Sequence, residues 1–249
     1  MKNIVLAAGY ATRLYPVTEN FPKPLLEIGG ISILDRLIED IDTIDEIEEH
    51  IIVSNQKFLH HFEKWAATSP YTKKITIIDD GSVANENRLG AVRDLALAIE
   101  HEQLYNDNLL VIAADNLLTF SFRGFVNYFK EKQTSLIMTY YEPEITALQR
   151  TGVITIDKNN KVLEMQEKPS NPKSNYAVPP FYIYKKSDIS FIQECVLEGC
   201  NTDSPGNLVN SMLAKTVFHA WNMPGKRFDI GTLAIYYQLR DMQDFKMET

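Results

Sequence analysis

The sequence predicts an α/β fold: a three-layer α/β/α sandwich around a mixed, mainly parallel sheet. Two observations carry that expectation. Short apolar runs rich in β-branched residues recur through the first 141 of the 249 residues, as strands buried on both faces require. Segments with apolar residues at helical spacing fall between them, and strands alternating with helices build parallel sheets covered on both sides. Strands are expected at residues 4–8, 51–53, 75–78, 109–114 and 135–141. Helices are expected at 33–41, 57–67, 90–101 and 122–132, each with an apolar stripe to set against the sheet. In such sheets a ligand binds beyond the carboxyl ends of the strands, so residues just after a strand are candidates for chemistry.

Past residue 142 the pattern becomes more antiparallel. Residues 152–157, 161–165 and 181–184 read as strands, with Asp157-Lys158-Asn159-Asn160 as the turn between the first two. A Pro- and Asn-containing loop follows at 170–173, a helix at 189–197, and a last helix at 233–241 entered through a turn at Gly231-Thr232. No Gly/Ser-rich linker and no internal repeat interrupts the chain, so residues 1–249 read as a single domain.

Composition removes several function classes. Hydrophobic residues make up 45% of the chain, enough for a sizeable core, and the formal charge of −8 argues against a nucleic-acid binder, which needs a basic surface. No stretch approaches the roughly 20 apolar residues of a membrane helix, and no signal-peptide pattern opens the chain. The expectation is a cytoplasmic protein with no nucleic-acid and no membrane partner. Cys195 and Cys200 lie five apart, without a Cys-x-x-Cys or His partner spacing; they read as packing residues, neither a disulfide framework nor a zinc site. His60 and His61 sit on a polar helical stretch, while His50, His101 and His219 stand alone; surface or helix-end positions are expected for all five.

The most informative run is Leu6-Ala7-Ala8-Gly9-Tyr10-Ala11-Thr12-Arg13-Leu14, followed by Pro22-Lys23. Gly9 breaks the first strand, and the small residues around it let a ligand reach main-chain N–H groups that can cradle anionic oxygens. Arg13 and Lys23 add two cations. No Gly-x-Gly-x-x-Gly follows a strand and Gly30 is followed by Ile31, which excludes the dinucleotide fingerprint and the P-loop. Two carboxylates stand at matching places: Asp115, with Asn116 beside it, directly after the apolar run 109–114, and Asp229 within Arg227-Phe228-Asp229-Ile230-Gly231-Thr232. Either alone would equally be a cap. Glu167-Lys168-Pro169 after a strand would by itself be a charged turn, and Arg88-Leu89-Gly90-Ala91 a plain helix start.

Together and in this order, these segments resemble the sugar-phosphate nucleotidyltransferases, or nucleotide-sugar pyrophosphorylases, and look most like the single-domain thymidylyltransferase branch. Their Gly-x-Gly-Thr-Arg-Leu…Pro-Lys signature stands here as Gly9-Tyr10-Ala11-Thr12-Arg13-Leu14 and Pro22-Lys23. Ala11 replaces the second glycine, a departure that matters if this backbone sits at positive φ or against a phosphate. Pro179-Pro180 is a second departure, standing where relatives often carry a small pair before the next strand.

The resemblance implies a Rossmann-like nucleotidyltransferase fold, with a nucleotide-binding part over about 1–141 and a sugar-phosphate-binding part over about 142–249. It implies Mg²⁺-dependent, in-line transfer of a nucleotidyl group from an NTP to a sugar 1-phosphate, giving an NDP-sugar and pyrophosphate. Leu6, Ala7, Ala8, Gly9 and Gly90 would contact the nucleotide, Arg13 the leaving pyrophosphate and Lys23 a phosphate near the reacting centre. Asp115 and Asp229 would hold Mg²⁺. Gly152 and Glu167 would hold sugar hydroxyls, and Lys168 the sugar phosphate. Asp115-Asn116 and Ser174-Asn175-Tyr176-Ala177 point within the family to a pyrimidine base, dTTP or UTP. The nearness of Asp229 to the end of the chain suggests a stand-alone catalytic domain, and a homo-oligomer is compatible with it. Two alternatives stay open: a cytidylyltransferase acting on phosphocholine or another phosphorylated alcohol, and a non-catalytic nucleotide-sugar-binding regulatory subunit.

Overall fold

All the strands expected in the first 141 residues form in the computed structural model, which describes residues 1–240; they run Lys2–Leu6, Glu49–Ser54, Lys74–Asp79, Leu109–Ala113 and Ser135–Tyr141. The chain divides into two compact units, one of residues 1–88, 113–123 and 224 onward, the other of 89–112 and 124–223.

In the first unit Glu49–Ser54 lies between Lys2–Leu6 and Lys74–Asp79, parallel to both, with Ile51 paired to Ile4 on one side and Thr76 on the other. Ile51, Ile52 and Val53 are fully buried, which is why this strand reads as an unbroken apolar run rather than an alternation. The helix Ile33–Asp42 begins at Ser32, whose Oγ accepts from the Asp35 N–H at 2.9 Å, satisfying one of the orphan donors of the first turn. Its apolar stripe of Ile33, Leu34, Leu37, Ile38 and Ile41 is buried, each such side chain contributing about 1.5–3 kcal/mol. Asp40, at the same buried level, accepts the Phe122 N–H at 2.8 Å and so pins segment 113–123 to this helix.

That segment carries a short strand, Asn116–Leu118, paired antiparallel with Arg227–Asp229. The helix Leu233–Arg240 then places Tyr236 and Leu239 in a cluster with Leu14, Leu26, Ile28, Ile33, Leu117 and Ile230. Asp241, the expected last residue of that helix, lies outside the described residues.

The second unit is mixed in its pairing. Phe181–Tyr184 runs antiparallel to Leu109–Ala113 and to Ser135–Tyr141, with Tyr182 opposite Val111 and Ile137. Phe218–Asn222 lies parallel to Ser135–Tyr141. The expected hairpin forms from Gly152–Ile156 and Val162–Glu167; the Asp157 carboxylate closes its turn by accepting the N–H groups of Asn159 and Lys161 at 2.8 and 2.9 Å. Among the described residues five strands are too short to show a period: Glu27–Ile28, Ile31–Ser32, Asn116–Leu118, Tyr176–Val178 and Arg227–Asp229. The helix Pro205–Met212 also escaped expectation, because Gly206, Asn207, Asn210 and Ser211 are weak helix formers; burial of Leu208, Val209 and Met212 holds it.

Two expectations are corrected. Cys195 and Cys200 are joined in a disulfide, with Cα atoms 5.5 Å apart. The helix Ile189–Leu197 ends between them and the chain folds back, the Cys200 N–H donating to the Cys195 carbonyl at 3.0 Å, so a spacing of five closes a small ring. His50 is not at the surface: it is fully buried, with Nδ1 3.0 Å from Asn3 Nδ2 and Nε2 3.2 Å from Asp42 Oδ1. Among the described residues no helix is long and apolar enough to cross a membrane.

Burial lowers the His50 pKa below its usual value, more than Asp42 raises it. The unfolded chain therefore takes up this proton at about pH 6.5 while the folded chain resists it to lower pH. The contribution of neutral His50 to stability is complete above that pH and is lost as pH falls through the unfolded and then the folded pKa. Thermal unfolding should show Tm falling on acidification below about pH 6.5, and His50→Gln should flatten that fall. An unchanged slope in the variant would assign the acid sensitivity to other groups.

Candidate functional site

The strand Lys2–Leu6 ends where Ala7 N–H still bonds the Val53 carbonyl at 2.9 Å, and the chain then turns along the edge of the sheet. Asn55, fully buried, steadies the turn: its Nδ2 donates to the Ala8 carbonyl at 2.9 Å and its Oδ1 accepts the Phe58 N–H at 3.0 Å. A Cβ on Gly9 would meet nothing within 4 Å, so the glycine leaves an open approach to its main chain rather than relieving a packing clash.

Ala11 does sit in the left-handed region, at φ 47° and ψ 41°. That conformation costs a non-glycine residue about 1–2 kcal/mol. The Ala11 carbonyl accepts from Leu14 N–H at 2.9 Å and from Thr18 Oγ1 at 2.8 Å, and these bonds help hold it there. The turn Thr12–Leu14 then buries Leu14 and turns Arg13 to a cavity of about 250 Å³ whose walls include Gly9, Ala11, Lys23, Ala114 and Asp115.

Lys23 is only 7% exposed. Its Nζ lies 2.9 Å from Asp115 Oδ2 and 3.9 Å from Asp229 Oδ1. Backbone register explains how two residues so distant in sequence meet. Asp229 pairs directly with Asn116 across the short ladder, and the Ile230 N–H donates to the Asp115 carbonyl at 3.3 Å. Although half of its surface is exposed, the Asp229 carboxyl is raised above the usual carboxylate range, by desolvation first and by the Asp115 charge second; Lys23, Arg227 and Arg13 oppose the shift. Two carboxylates that repel one another favour a cation between them. Mg²⁺ takes one or two protein carboxylates and completes its octahedron with waters and substrate phosphates, and this donor pair fits that requirement. Among the described residues no group of three or more His, Cys, Asp or Glu is gathered, so an ion here would depend on such outside oxygens.

Three residues that the sequence places within these motifs make contacts it did not foretell. Asn116 Nδ2 donates to Asp115 Oδ1 at 2.6 Å, and Arg227 donates to Asn116 Oδ1 at 2.6 Å. Arg227 stands two residues before Asp229 on one strand, hence on the same face. Tyr10, in the variable position of the signature, places its hydroxyl 3.2 Å from Ser82 Oγ, which in turn donates to Asp80 Oδ2 at 3.0 Å; it ties the glycine loop to the segment leading to Arg88.

In the second unit Gly90, at φ 91°, starts the helix Ala91–His101, and a Cβ there would stand 2.7 Å from the Thr202 carbonyl. Gly152 pairs with Glu167 across the hairpin. The Glu167 carboxylate is seated against Gly206, where a Cβ would overlap its Oε2, and it is hydrogen-bonded by Ser204. Burial pushes its pKa up, with Lys168 and Ser204 pulling it back and Asp203 adding to the rise. Lys168 is exposed, left-handed at φ 47°, and 3.9 Å from Glu167 Oε1; its N–H donates to the Thr151 carbonyl at 3.1 Å. Ser204 and Gly206 were invisible in the sequence because they precede and open a helix that its own residues do not predict.

A sequence model of the family described as Nucleotidyl transferase matches residues 2–243. The chain is 27% identical to the glucose-1-phosphate adenylyltransferase of Fervidobacterium nodosum, an alignment that covers 96% of this chain and 60% of the relative. It is 26% identical to the UTP–glucose-1-phosphate uridylyltransferase of Synechocystis, covering 96% of this chain and 62% of that one. The chain thus spans about three fifths of the length of these relatives. The structure of a UDP-glucose pyrophosphorylase complexed with UDP-glucose superposes with a TM-score of 0.81 at 20% identity, over 96% of this chain and 97% of the other, and has the same fold.

The seat of Glu167 generates a stability test. Gly206→Ala puts a methyl into the carboxylate and should destabilise by about 1–3 kcal/mol, the usual penalty of overpacking. In Gly206→Ala/Glu167→Ala the obstructing group is gone, so urea unfolding should recover part of that loss, as coupling between neighbours requires. Strictly additive losses would mean that the two do not share the seat.

Proposed function

The chain belongs to the nucleotidyl transferase family, and on that premise we propose that it transfers a nucleotidyl group from an NTP to a sugar 1-phosphate, releasing pyrophosphate and an NDP-sugar. The observation that carries the reading is the meeting of Lys23 with Asp115 and Asp229, beside an open main-chain loop. In the reaction a phosphate oxygen of the sugar phosphate forms a bond to the α-phosphorus, the bond from that phosphorus to the bridging oxygen breaks in line, and the electron pair leaves with pyrophosphate. Such a reaction needs positioned groups and charge stabilisation rather than covalent chemistry by the protein.

Asp115 and Asp229 would hold Mg²⁺, which supplies charge neutralisation on the phosphate oxygens. The main chain of Leu6, Ala7, Ala8 and Gly9 cradles the NTP phosphates, and Gly90 bounds the base. Arg13 meets the charge growing on pyrophosphate. Lys23, carried on a buried turn, keeps a fixed positive charge near the attacked phosphorus. Glu167 accepts from sugar hydroxyls and Gly152 offers its main chain to them, while Lys168 is a compact point charge for the sugar phosphate. Within the single nucleotidyltransferase domain proposed for residues 1–249, the base is a pyrimidine, dTTP or UTP, and the reaction is a cytoplasmic one between soluble substrates.

Pyrophosphate release from a panel of NTPs against sugar 1-phosphates tests the reading. Turnover with a phosphorylated alcohol alone would make the chain a cytidylyltransferase-like enzyme instead, and nucleotide-sugar binding without release would make it a regulatory subunit. Asp115→Asn and Asp229→Asn should each lose at least about 10²-fold in kcat, the order seen when one charge-stabilising group is removed, with far-UV circular dichroism unchanged. Full turnover in either would take that aspartate out of the site.

Lys168→Ala separates the substrates. Losing one charged partner of a bound phosphate commonly costs a few kcal/mol, so the sugar 1-phosphate KM should rise at least about tenfold. The Kd of Mg-NTP, measured by calorimetry without sugar, should move by less than about threefold, under 1 kcal/mol. Lost NTP affinity with an unchanged sugar KM would assign Lys168 to the nucleotide.

A further inference from the structure

Asp115 is held at both of its oxygens, and the two partners differ in kind. Oδ2 takes the Lys23 ammonium at 2.9 Å, a charged partner, whereas Oδ1 takes the neutral Asn116 amide at 2.6 Å. Asn116 is 1% exposed, so water cannot stand in for either end of its amide. An amide has one accepting and one donating end, and turned over it would present its oxygen to the carboxylate, a repulsive pairing. What selects the donating end is Arg227, a side chain with donors only, placed 2.6 Å from Asn116 Oδ1. The ladder that brings Asp229 opposite Asn116 brings Arg227 to the same face.

We propose that Arg227 and Asn116 form a positioning relay that orients the Asp115 carboxylate for a divalent cation. The inference rests on the reading that Asp115 is a ligand of such a cation. Asn116 fixes the plane of the carboxylate without neutralising it, which leaves its negative charge available to the ion, and Arg227 fixes Asn116 from one bond further out. Neither is a catalytic residue: each acts through Asp115. Outer partners of this kind commonly govern metal affinity by 10–100-fold.

The test is direct cation binding, with Mn²⁺ as the probe and electron paramagnetic resonance of free Mn²⁺ as the readout, in the full chain with a saturating NTP. Arg227→Met and Asn116→Leu should each weaken the Mn²⁺ Kd by about tenfold or more. Arg227→Lys, which keeps a donor and a charge, should recover part of that affinity. NTP affinity in EDTA, where no cation bridges, should stay within about threefold in all three variants, under 1 kcal/mol. Folded variants with wild-type Mn²⁺ affinity overturn the relay. Weakening by Arg227→Met without weakening by Asn116→Leu also overturns it, since Arg227 would then act by charge on Asp229 alone. Should Asn116→Leu fail to fold, the contrast between Arg227→Met and Arg227→Lys decides: equal losses overturn the relay, and partial recovery supports it. Failure of the wild type to release pyrophosphate from any NTP would count against the proposed function and not against the relay, because Mn²⁺ binding is read without turnover.

Discussion

A buried ammonium has to be answered by carboxylates, and much of the first unit follows from that need. Lys23, 7% exposed, would be a strongly unfavourable charge without Asp115 and Asp229. These partners lie 92 and 206 residues further along the chain, so the cluster can form only after the strand Leu109–Ala113 has delivered Asp115 and the ladder Asn116–Leu118 with Arg227–Asp229 has set Asp229 in register. Because the aspartate side chains are 41% and 51% exposed, solvent screens the loss of either one, which costs less than the about 3–5 kcal/mol of a fully buried pair. The same three residues therefore serve both the fold and the proposed chemistry.

Of the five described non-glycine residues at positive φ, two lie in the loops that bear the proposed substrate contacts, the others being Gln103, Gln133 and Asn160. Ala11 and Lys168 both sit in the left-handed region at φ 47°, and neither is glycine. Lys168 also precedes Pro169, a position biased toward extended backbone. Each is held by a local hydrogen bond, from Leu14 N–H to the Ala11 carbonyl and from Lys168 N–H to the Thr151 carbonyl. Such conformations persist where the surroundings over-determine them, and they cluster where a loop must present groups in one geometry. Ala11 thus resolves the departure from the second glycine of the signature: the backbone adopts the glycine-like conformation in spite of the methyl.

The long periodic elements were legible in the sequence because burial on both faces leaves a signature in composition. Ser135–Tyr141, Phe181–Tyr184 and Ile189–Leu197 match their expected bounds, and others differ by a residue or two at their ends. The candidate residues were legible because they follow strands, as Asp115 does. What stayed hidden depended on contacts across long stretches of chain. His50 reads as an isolated polar residue until Asn3 and Asp42 are placed beside it. Gly206 looks like a helix breaker until the Glu167 carboxylate occupies the space of its missing side chain. Arg227 and Asn116 lie on strands of three residues each, too short for any period, and only pairing shows that they meet.

The two proposed substrate clusters hold their carboxylates by opposite means. Asp115 is fixed by attraction, one donor to each oxygen, so its orientation depends on charged and polar partners. Glu167 is fixed largely by exclusion, set where Gly152 and Gly206 lack side chains, with Ser204 as its bonded donor. Burial raises the Glu167 pKa, and desolvation together with the Asp115 charge raises that of Asp229, so in both the ionised form is short of stabilising partners. The missing partners differ in chemistry. A half-buried carboxylate between glycines is suited to neutral donors such as sugar hydroxyls, which add hydrogen bonds without bringing charge. A pair of mutually repelling carboxylates beside Lys23 is suited to a cation, which removes the repulsion itself. The proposed division between a hydroxyl-binding and a cation-binding carboxylate thus rests on how each is held.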